Sequence, residues 1–193
     1  MPSPPSDRAD RQAQPVYPVF LTDLAAWTVV VVGGGTVATR KIAGLLAAQA
    51  RVTVIAPAIT PQIEAWRGEG HVDWIARPYA PGDLTGARLV IAATDSRTVN
   101  VAVAQDVAAH GALCNVADNP DLGNFHVPAV HRDADYTLAV GTGGASPRRA
   151  VALRDRLAAY LAHAETEEIS RKVAKTPREE KRGWVSFLAF GSE

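Results

Sequence analysis

The chain has 193 residues, of which 47% are hydrophobic, and its 20 basic and 20 acidic residues give no net charge. This length and apolar content suit either one large domain or a compact domain with a smaller one, and the balanced charge argues against a nucleic-acid-binding protein. A single cysteine excludes an intrachain disulfide framework and no apolar run is long enough to span a membrane, so we expect a cytoplasmic protein without membrane partners.

The first structured element is expected after an N-terminal tail. Residues 1–16 are rich in proline and charged side chains, which favours a segment without fixed structure. The four consecutive valines Val29–Val32 then predict a buried parallel strand, because such strands are apolar on both faces and valine is β-branched. A turn of three glycines and a helical pattern over Thr36–Ala48 follow directly.

This strand, turn and helix match the G-x-G-x-x-A form of the dinucleotide-binding fingerprint. Gly33 permits the sharp turn, Gly35 lets a pyrophosphate approach the backbone, and Ala38 lets the helix pack closely on the strand. The helix would direct its free N–H groups and its dipole towards the pyrophosphate. A glycine turn that serves only chain geometry is the alternative, but the flanking strand and helix favour nucleotide binding, with Gly34 as part of the cradle.

Strand and helix signals then alternate as far as residue 118. Further strands are predicted at Arg51–Ala56, Val72–Ala76, Arg88–Ala93 and Ala112–Ala117. Between them lie a short helix that begins at Thr60 and Pro61 and a longer helical segment over Thr98–Gly111. This alternation predicts an α/β fold, a Rossmann-type doubly wound parallel sheet, over residues 17–118.

The pattern changes after Asp118. Residues 119–146 contain a loop and strand-like pieces without intervening helices, which predicts a small α+β segment. Ser146 and Pro147 are expected to begin a C-terminal helical segment, 147–193. Its predicted apolar face consists of Val151, Leu153, Leu157, Tyr160 and Leu161. A final helix is predicted to begin at Thr176–Glu179, where the sequence TPRE forms a capping box.

Candidate chemistry lies where predicted strands end. Thr94 and Asp95 follow one strand and Asp118 another, so all three should lie at the carboxyl edge of the sheet, where ligands of open α/β sheets bind. A partly desolvated carboxylate at Asp118 can accept a proton near neutral pH. The alternatives are that Asp95 or Ser96 caps the next helix and that Asp118, followed by Asn-Pro, belongs to an ordinary turn. The residues alone favour the turn.

The end of the second strand lacks the residue that many NAD-binding proteins use for the ribose. Ile55–Ala58 contains neither a carboxylate for the ribose hydroxyls nor an arginine for a 2′-phosphate. Ribose contacts at this position would therefore come from backbone groups.

A second glycine-rich turn, Gly141–Arg149, also leads into a helix. Arg148 and Arg149 lie in the first helical turn, where each positive charge opposes the helix dipole by about 0.3–1 kcal/mol. A bound anion would offset that penalty, and Arg132 is close in sequence. The alternative is a solvated basic face, but the glycines expose backbone N–H groups and favour anion binding. The five histidines show no metal-ligand spacing, and Cys114 is expected in the core.

Four segments occur along the chain in this order: YPVFLTDLAAWTVVVVGGGTVATRK, AATDSRTVN, CNVADNPDLGNFHVPA and AVGTGGASPRRA. Together they resemble the precorrin-2 dehydrogenase family, the N-terminal module of siroheme synthases. The resemblance covers about residues 16–163 and implies NAD-dependent oxidation of precorrin-2 to sirohydrochlorin.

The resemblance also implies roles for individual residues. The family's essential aspartate falls on Asp118, and its nucleotide contacts fall on Thr36, Val37, Pro57 and Ala58. The substrate carries many carboxylates, which Arg132, Arg148 and Arg149 would bind through charge-assisted hydrogen bonds. Further candidates for substrate binding lie in the matching segments: Asn124, Thr142, Gly143 and Ser146. Thr142 replaces a serine of the family.

The resemblance to this family implies a homodimer with an interleaved second domain. Residues 119–146 are therefore expected to form a dimerisation segment. Some relatives also insert Fe²⁺ into sirohydrochlorin, which leaves a bifunctional enzyme as an alternative. A non-catalytic NAD-sensing module is a second alternative; it explains the first glycine turn but gives no reason for the segments around Asp118 and Gly141.

Overall fold

The structure is a computed structural model that describes residues 15–175, with side-chain surroundings up to residue 163. The predicted tail therefore lies almost wholly outside the described residues, and so does the helix predicted from Thr176. The chain divides into two compact units, which meet between Val127 and Pro128. None of the described helices is long and apolar enough to cross a membrane.

The described part of the first unit contains five strands and three α-helices. Their bounds are β1 Val29–Val32, α1 Thr36–Leu46, β2 Val52–Ile55, α2 Pro61–Gly68, β3 Val72–Ile75, β4 Leu89–Ala92, α3 Arg97–His110 and β5 Leu113–Val116. Strands and helices alternate except that β4 follows β3 without a helix between them. All neighbouring strands pair in parallel, in the order β3-β2-β1-β4-β5. The strand order reverses direction at β1, so the crevice between the carboxyl ends of β1 and β4 is where this class of sheet binds ligands. The predicted Rossmann-type fold is confirmed.

Helices cover both faces of the sheet, which explains why β1 is apolar throughout. Val29 and Val31 pack with α1 and α2 on one face, whereas Val30 and Val32 pack with α3 on the other. All four valines are buried. Cys114 on β5 is buried with the α3 cluster, as expected, and that burial raises the pKa of its thiol to about 11.

Local signals set the ends of the helices. The Thr60 hydroxyl accepts a hydrogen bond from the Ile63 amide at the start of α2, and the Ser96 hydroxyl does the same for Val99 at the start of α3. Gly111, with a φ of 70°, ends α3 in the left-handed conformation. Ser96, and not Asp95, is thus the cap of α3.

The boundary between the units lies nine residues after the one predicted at residue 118. The loop after β5 folds back on that strand: the Asn124 backbone N–H donates to the Cys114 carbonyl at 2.9 Å, and the Asn115 side-chain amide donates to the Phe125 carbonyl at 3.1 Å. Residues 119–127 therefore belong with the parallel sheet. The change in sequence pattern marks the end of strand–helix alternation and not the end of the unit.

The described part of the second unit, residues 128–175, contains an antiparallel hairpin and a long helix. The hairpin pairs β6, Ala129–Arg132, with β7, Thr137–Val140, and the helix is α4, Pro147–Lys175. Helix α4 packs on both strands of the hairpin. The strand-like pieces predicted in this region thus pair with each other.

The predicted apolar face of α4 is not the face that packs on the hairpin. Ala150 is only 5% exposed, and the Arg154 guanidinium donates to the Val130 carbonyl at 3.4 Å, so the packed face carries small and polar residues. The predicted residues are instead exposed by 37–70%, except for the half-buried Leu161: Val151, Leu153, Leu157 and Tyr160. The sequence predicted an apolar face on this helix and did not identify what that face packs against.

Candidate functional site

The loops that follow β1, β2, β4 and β5 all leave the carboxyl edge of the same parallel sheet. They contain the predicted nucleotide-binding residues and Asp118. Backbone hydrogen bonds extend the strand pairing into three of these loops: Gly33 donates to the Ile55 carbonyl at 3.0 Å, Ala93 to Val32 at 2.8 Å, and Ala117 to Ala92 at 2.9 Å. The predicted nucleotide-binding residues and Asp118 are thus brought together on one rim.

The three glycines of the first turn have different surroundings. Gly33 has a φ of 121°, and a Cβ added there would lie 2.3 Å from the Ala93 carbonyl oxygen. A Cβ at Gly34 would lie 2.0 Å from the Ala58 carbonyl oxygen. At Gly35, by contrast, no atom lies within 4 Å of the added Cβ. The first two glycines are therefore required by packing, whereas Gly35 opens onto free space.

This free space lies at the start of α1. Gly35 is the N-cap residue and provides no side-chain oxygen for the first amides, unlike Thr60 and Ser96 at the starts of α2 and α3. Thr36 and Val37, the first two residues of α1, are exposed. Uncapped N–H groups and an open approach suit the pyrophosphate of a dinucleotide, so these residues fit the predicted cofactor.

The loop after β2 lies directly against this turn. Thr60 donates its backbone N–H to the Gly34 carbonyl at 3.0 Å, and the hydroxyls of Thr39 and Thr60 are 2.8 Å apart. Pro57 and Ala58 are exposed beside it. The backbone at Ala58 therefore borders the turn at the position where a ribose would need contacts.

Burial lowers the pKa of Lys41, one turn into α1, and the neighbouring Arg40 lowers it further. Lys41 is half-buried, whereas Arg40 is exposed.

The loops after β4 and β5 are connected through a side chain that sequence reasoning missed. Asn100, on α3, is fully buried. Its Oδ1 accepts hydrogen bonds from the Thr94 backbone N–H at 3.2 Å and from the Thr94 hydroxyl at 2.8 Å. Its Nδ2 donates to the Thr94 carbonyl at 3.0 Å and to Asp118 Oδ1 at 2.8 Å. Asn100 therefore joins Thr94 to Asp118.

A signal for Asn100 exists in the sequence. It lies three, four and seven residues before Val103, Ala104 and Val107, which form the buried face of α3. An amide on the apolar face of a predicted helix needs buried hydrogen-bond partners. That pattern identifies Asn100 as unusual, although it does not identify its partners.

Asp118 itself is an exposed residue. The expected partial desolvation is therefore wrong for this chain taken alone: the carboxylate is held at the rim by Asn100 and not by burial. Asp95 is also exposed.

The side chain of Asn124, which was predicted to bind substrate, is hydrogen-bonded to the backbone of β5 and of Ala112, the residue before that strand. Its Oδ1 accepts from the Cys114 N–H at 2.7 Å, and its Nδ2 donates to the Ala112 carbonyl at 2.8 Å. These contacts give the amide a structural role, which is to close the loop after β5.

The predicted substrate-binding residues beyond Pro128 all belong to the second unit. The turn before α4 has Gly143 and Gly144 at φ values of 57° and 81°, and the Thr142 hydroxyl accepts a hydrogen bond from the Ser146 N–H at 3.0 Å. The Ser146 hydroxyl in turn accepts from the Arg149 N–H at 3.3 Å, so Ser146 caps α4 as predicted. The side chains of Thr142 and Ser146 thus shape the turn.

Three exposed arginines, Arg132, Arg148 and Arg149, lie on β6 and on the first turn of α4. Within residues 15–163 none of them forms an ion pair with a carboxylate. Arg154, in contrast, pairs with Asp155. The three unpaired guanidinium groups are available to an anionic ligand.

Comparison with known proteins agrees with the first unit. Residues 20–129 match the model of a family described as "Putative NAD(P)-binding". This match covers more than half of the chain and includes the glycine turn and Asp118.

Among curated relatives, siroheme synthase 1 of Aeromonas salmonicida is 42% identical over 133 residues, which are 69% of this chain and 28% of that protein. The siroheme synthase of Methylococcus capsulatus is 38% identical over 180 residues, which are 89% of this chain and 38% of that protein. The chain thus spans well under half the length of these curated relatives.

A solved structure, described as SirC, precorrin-2 dehydrogenase, superposes with a TM-score of 0.67 at 28% sequence identity. The match covers 90% of this chain and 89% of that one. The similarity therefore extends over nearly the whole length of both.

Proposed function

Since the chain belongs to this NAD(P)-binding family, we propose that it is an NAD-dependent dehydrogenase that oxidises precorrin-2 to sirohydrochlorin. The similarity to a precorrin-2 dehydrogenase over about nine tenths of both chains and to siroheme synthases at about 40% identity supports this substrate. The residues on the rim of the sheet support the reaction type.

One observation carries the proposal: the glycine turn and the Asp118 carboxylate share one rim, and the loop that carries Thr94 lies against the first and is joined to the second. A Cβ at Gly33 would lie 3.1 Å from the Thr94 backbone nitrogen, and Thr94 is bonded through Asn100 to Asp118. A proton acceptor and a dinucleotide cradle on adjacent loops are what an oxidation by hydride removal needs.

The cofactor would be held by the uncapped start of α1, with Gly35, Thr36 and Val37 at the pyrophosphate and the backbone of Pro57 and Ala58 near the ribose. Thr94 and Asp95, on the loop after β4, would border the nicotinamide end. When bound, NAD supplies the acceptor for a hydride. The glycine turn fixes the distance of approach because Gly33 and Gly34 are packed against neighbouring loops.

The oxidation removes two electrons and two hydrogens from the macrocycle. One hydrogen leaves with both electrons as the hydride, and the other leaves as a proton, for which Asp118 is the acceptor. Asn100 holds Oδ1 of that carboxylate. The proton passes from Asp118 to solvent, which its exposure permits, and the products are sirohydrochlorin, NADH and H⁺.

The second unit would recognise the carboxylates of the tetrapyrrole. Arg132, Arg148 and Arg149 are exposed and suited to bidentate contacts with carboxylates, and Gly143 lies in the turn before α4. Asn124 is left out of this set because its amide is bonded to the backbone of the first unit.

We also propose that the second unit forms a homodimer. Leu153, Leu157 and Tyr160 follow each other at spacings of four and three residues and therefore share one face of α4. They are 41%, 37% and 70% exposed in the single chain. An apolar stripe on a helix that already packs on a hairpin by another face favours contact with a second copy.

The test is an anaerobic assay of the purified protein with precorrin-2 and NAD, in which NADH and the sirohydrochlorin spectrum are followed together. We expect NADH and sirohydrochlorin to form in equal amounts. Binding of NAD without turnover of precorrin-2 would favour the non-catalytic sensor. Addition of Fe²⁺ to the product then tests the bifunctional alternative.

A further inference from the structure

Asn100 has more hydrogen bonds than the local backbone requires. Its amide is completely buried, and three of its four contacts go to one residue, Thr94. Those three contacts are enough to fix the loop between β4 and α3. The fourth contact, from Nδ2 to Asp118 Oδ1, reaches a side chain on a different loop.

This fourth contact is unlike the side-chain contacts of Asn115 and Asn124 in the same unit. The side chains of Asn115 and Asn124 bond to backbone carbonyl or N–H groups, which is the usual way to pin a loop. Asn100 instead bonds to the carboxylate itself. A charge-assisted hydrogen bond of this kind is stronger and more directional than one between neutral groups.

The direction of the amide is fixed by its surroundings. The Thr94 backbone N–H can only donate, so it requires Oδ1 of Asn100 on its side. The Nδ2 group must then face the Thr94 carbonyl and the Asp118 carboxylate, both of which accept. Thr94 therefore orients Asn100, and Asn100 presents a donor to Asp118 in only one way.

We propose that Asn100 is a positioning residue for the dehydrogenation: it holds Oδ1 of Asp118 so that Oδ2 faces the reacting macrocycle. The inference rests on the proposed function. Asn100 does not touch the substrate and acts only through Asp118. Its value to the reaction is the fixed placement of an exposed carboxylate that would otherwise sample several rotamers.

The experiment compares the wild type with Asn100→Asp and Asn100→Ala. Asn100→Asp keeps the shape and an acceptor for Thr94 but presents an oxygen to Asp118, whereas Asn100→Ala removes the amide without adding charge. We expect kcat for NADH formation to fall on the order of 10-fold to 100-fold in both, because misplacement of a catalytic group has effects of this size. NAD affinity should change little.

A cycle with Asp118→Ala separates positioning from general damage to the fold. If Asn100 acts through Asp118, then Asn100→Ala should have no further effect on kcat in the Asp118→Ala background. Tyr79→Phe is the matched control, because it removes a 2.6 Å hydrogen bond from Tyr79 to Asp106 on the same helix. We expect that variant to lose stability and to keep its kcat.

Four results would overturn the inference. The first is a wild-type kcat in both Asn100 variants. The second is a loss of kcat on Asn100→Ala that is equally large in the wild-type and in the Asp118→Ala background. The third is that both Asn100 variants lack a cooperative unfolding transition or do not bind NAD, which would show that Asn100 serves the fold alone. A wild type that does not oxidise precorrin-2 would overturn the proposed function and this inference together.

Discussion

Gly33, Gly34 and Gly35 are adjacent in sequence but are required for different physical reasons. Gly33 needs its positive φ, and Gly34 needs the absence of a Cβ because of the Ala58 carbonyl. Gly35 has an ordinary φ of −84° and open space around it. At Gly35 neither the backbone conformation nor packing requires a glycine, which fits the proposed contact with a dinucleotide.

This difference predicts opposite effects of two substitutions. Gly35→Ala should fold with wild-type stability but bind NAD on the order of 10-fold more weakly, a loss of about 1.4 kcal/mol. Gly33→Ala should instead destabilise the fold by about 1–3 kcal/mol, the usual cost of a strained backbone position. Thermal unfolding and calorimetric titration with NAD check both. Unchanged NAD affinity in Gly35→Ala would contradict the proposed cradle.

Among individual residues, those whose role depends on their neighbours along the chain could be predicted from the sequence. Gly33, Gly35 and Ala38 are recognisable from one strand, one turn and one helix. Asn100 was missed because its partners, Thr94 and Asp118, come together only when β4 and β5 pair. The exposure of Asp118 likewise depends on which loops surround it, and the sequence does not give that.

The loop after β5 is the element that holds Asp118 in register with the sheet. Its return to the strand depends on Asn124, which bonds to Cys114 and Ala112. A Cβ at Gly123 would lie 2.6 Å from the Cys114 carbonyl oxygen, so the loop lies tightly against β5. This packing places residues up to Val127 in the first unit.

Asn124→Ala should therefore affect stability and not substrate binding. We expect the free energy of unfolding to fall by about 1–3 kcal/mol, because the Cys114 N–H and the Ala112 carbonyl lose their hydrogen-bond partner. The KM for precorrin-2 should remain at its wild-type value. Denaturant unfolding and steady-state kinetics check the two parts; a raised KM with normal stability would restore the substrate role expected from the sequence.

Helix α4 shows why an amphipathic pattern does not identify its own partner. The sequence predicted correctly that a helix begins after Ser146 and that it carries apolar residues at helical spacing. The hairpin, however, packs on the face of Ala150, since small residues allow close approach. Periodicity locates an apolar face but does not say whether its partner lies in the same chain.

For the whole molecule, the order of strands decides which distant segments become neighbours. Parallel pairing of β1 with both β2 and β4 places three connecting loops at one edge. The alternation of strands and helices was enough to predict this arrangement. The end of the first unit was predicted less well, because it depends on a loop that packs back without forming a strand.

The proposed dimer makes a prediction at the same scale. Leu157→Glu should convert the dimer to a monomer, because it places a charge in the centre of the apolar stripe of α4. Ala152→Glu, which adds the same charge at an exposed position on another face of the helix, should leave the dimer intact. Light scattering after gel filtration measures both. A wild type that is monomeric at micromolar concentration would contradict the dimer.

The central claim is that the Asp118 carboxylate and a dinucleotide on the first glycine turn act in one site. Single-turnover formation of NADH from precorrin-2 by Asp118→Asn, at saturating NAD, tests it most directly, since asparagine has the shape of aspartate but is a very poor proton acceptor. We expect wild-type NAD affinity and a rate lower by about 10²–10⁴-fold. An unchanged rate, or a loss of activity that follows a loss of NAD binding, would contradict the claim.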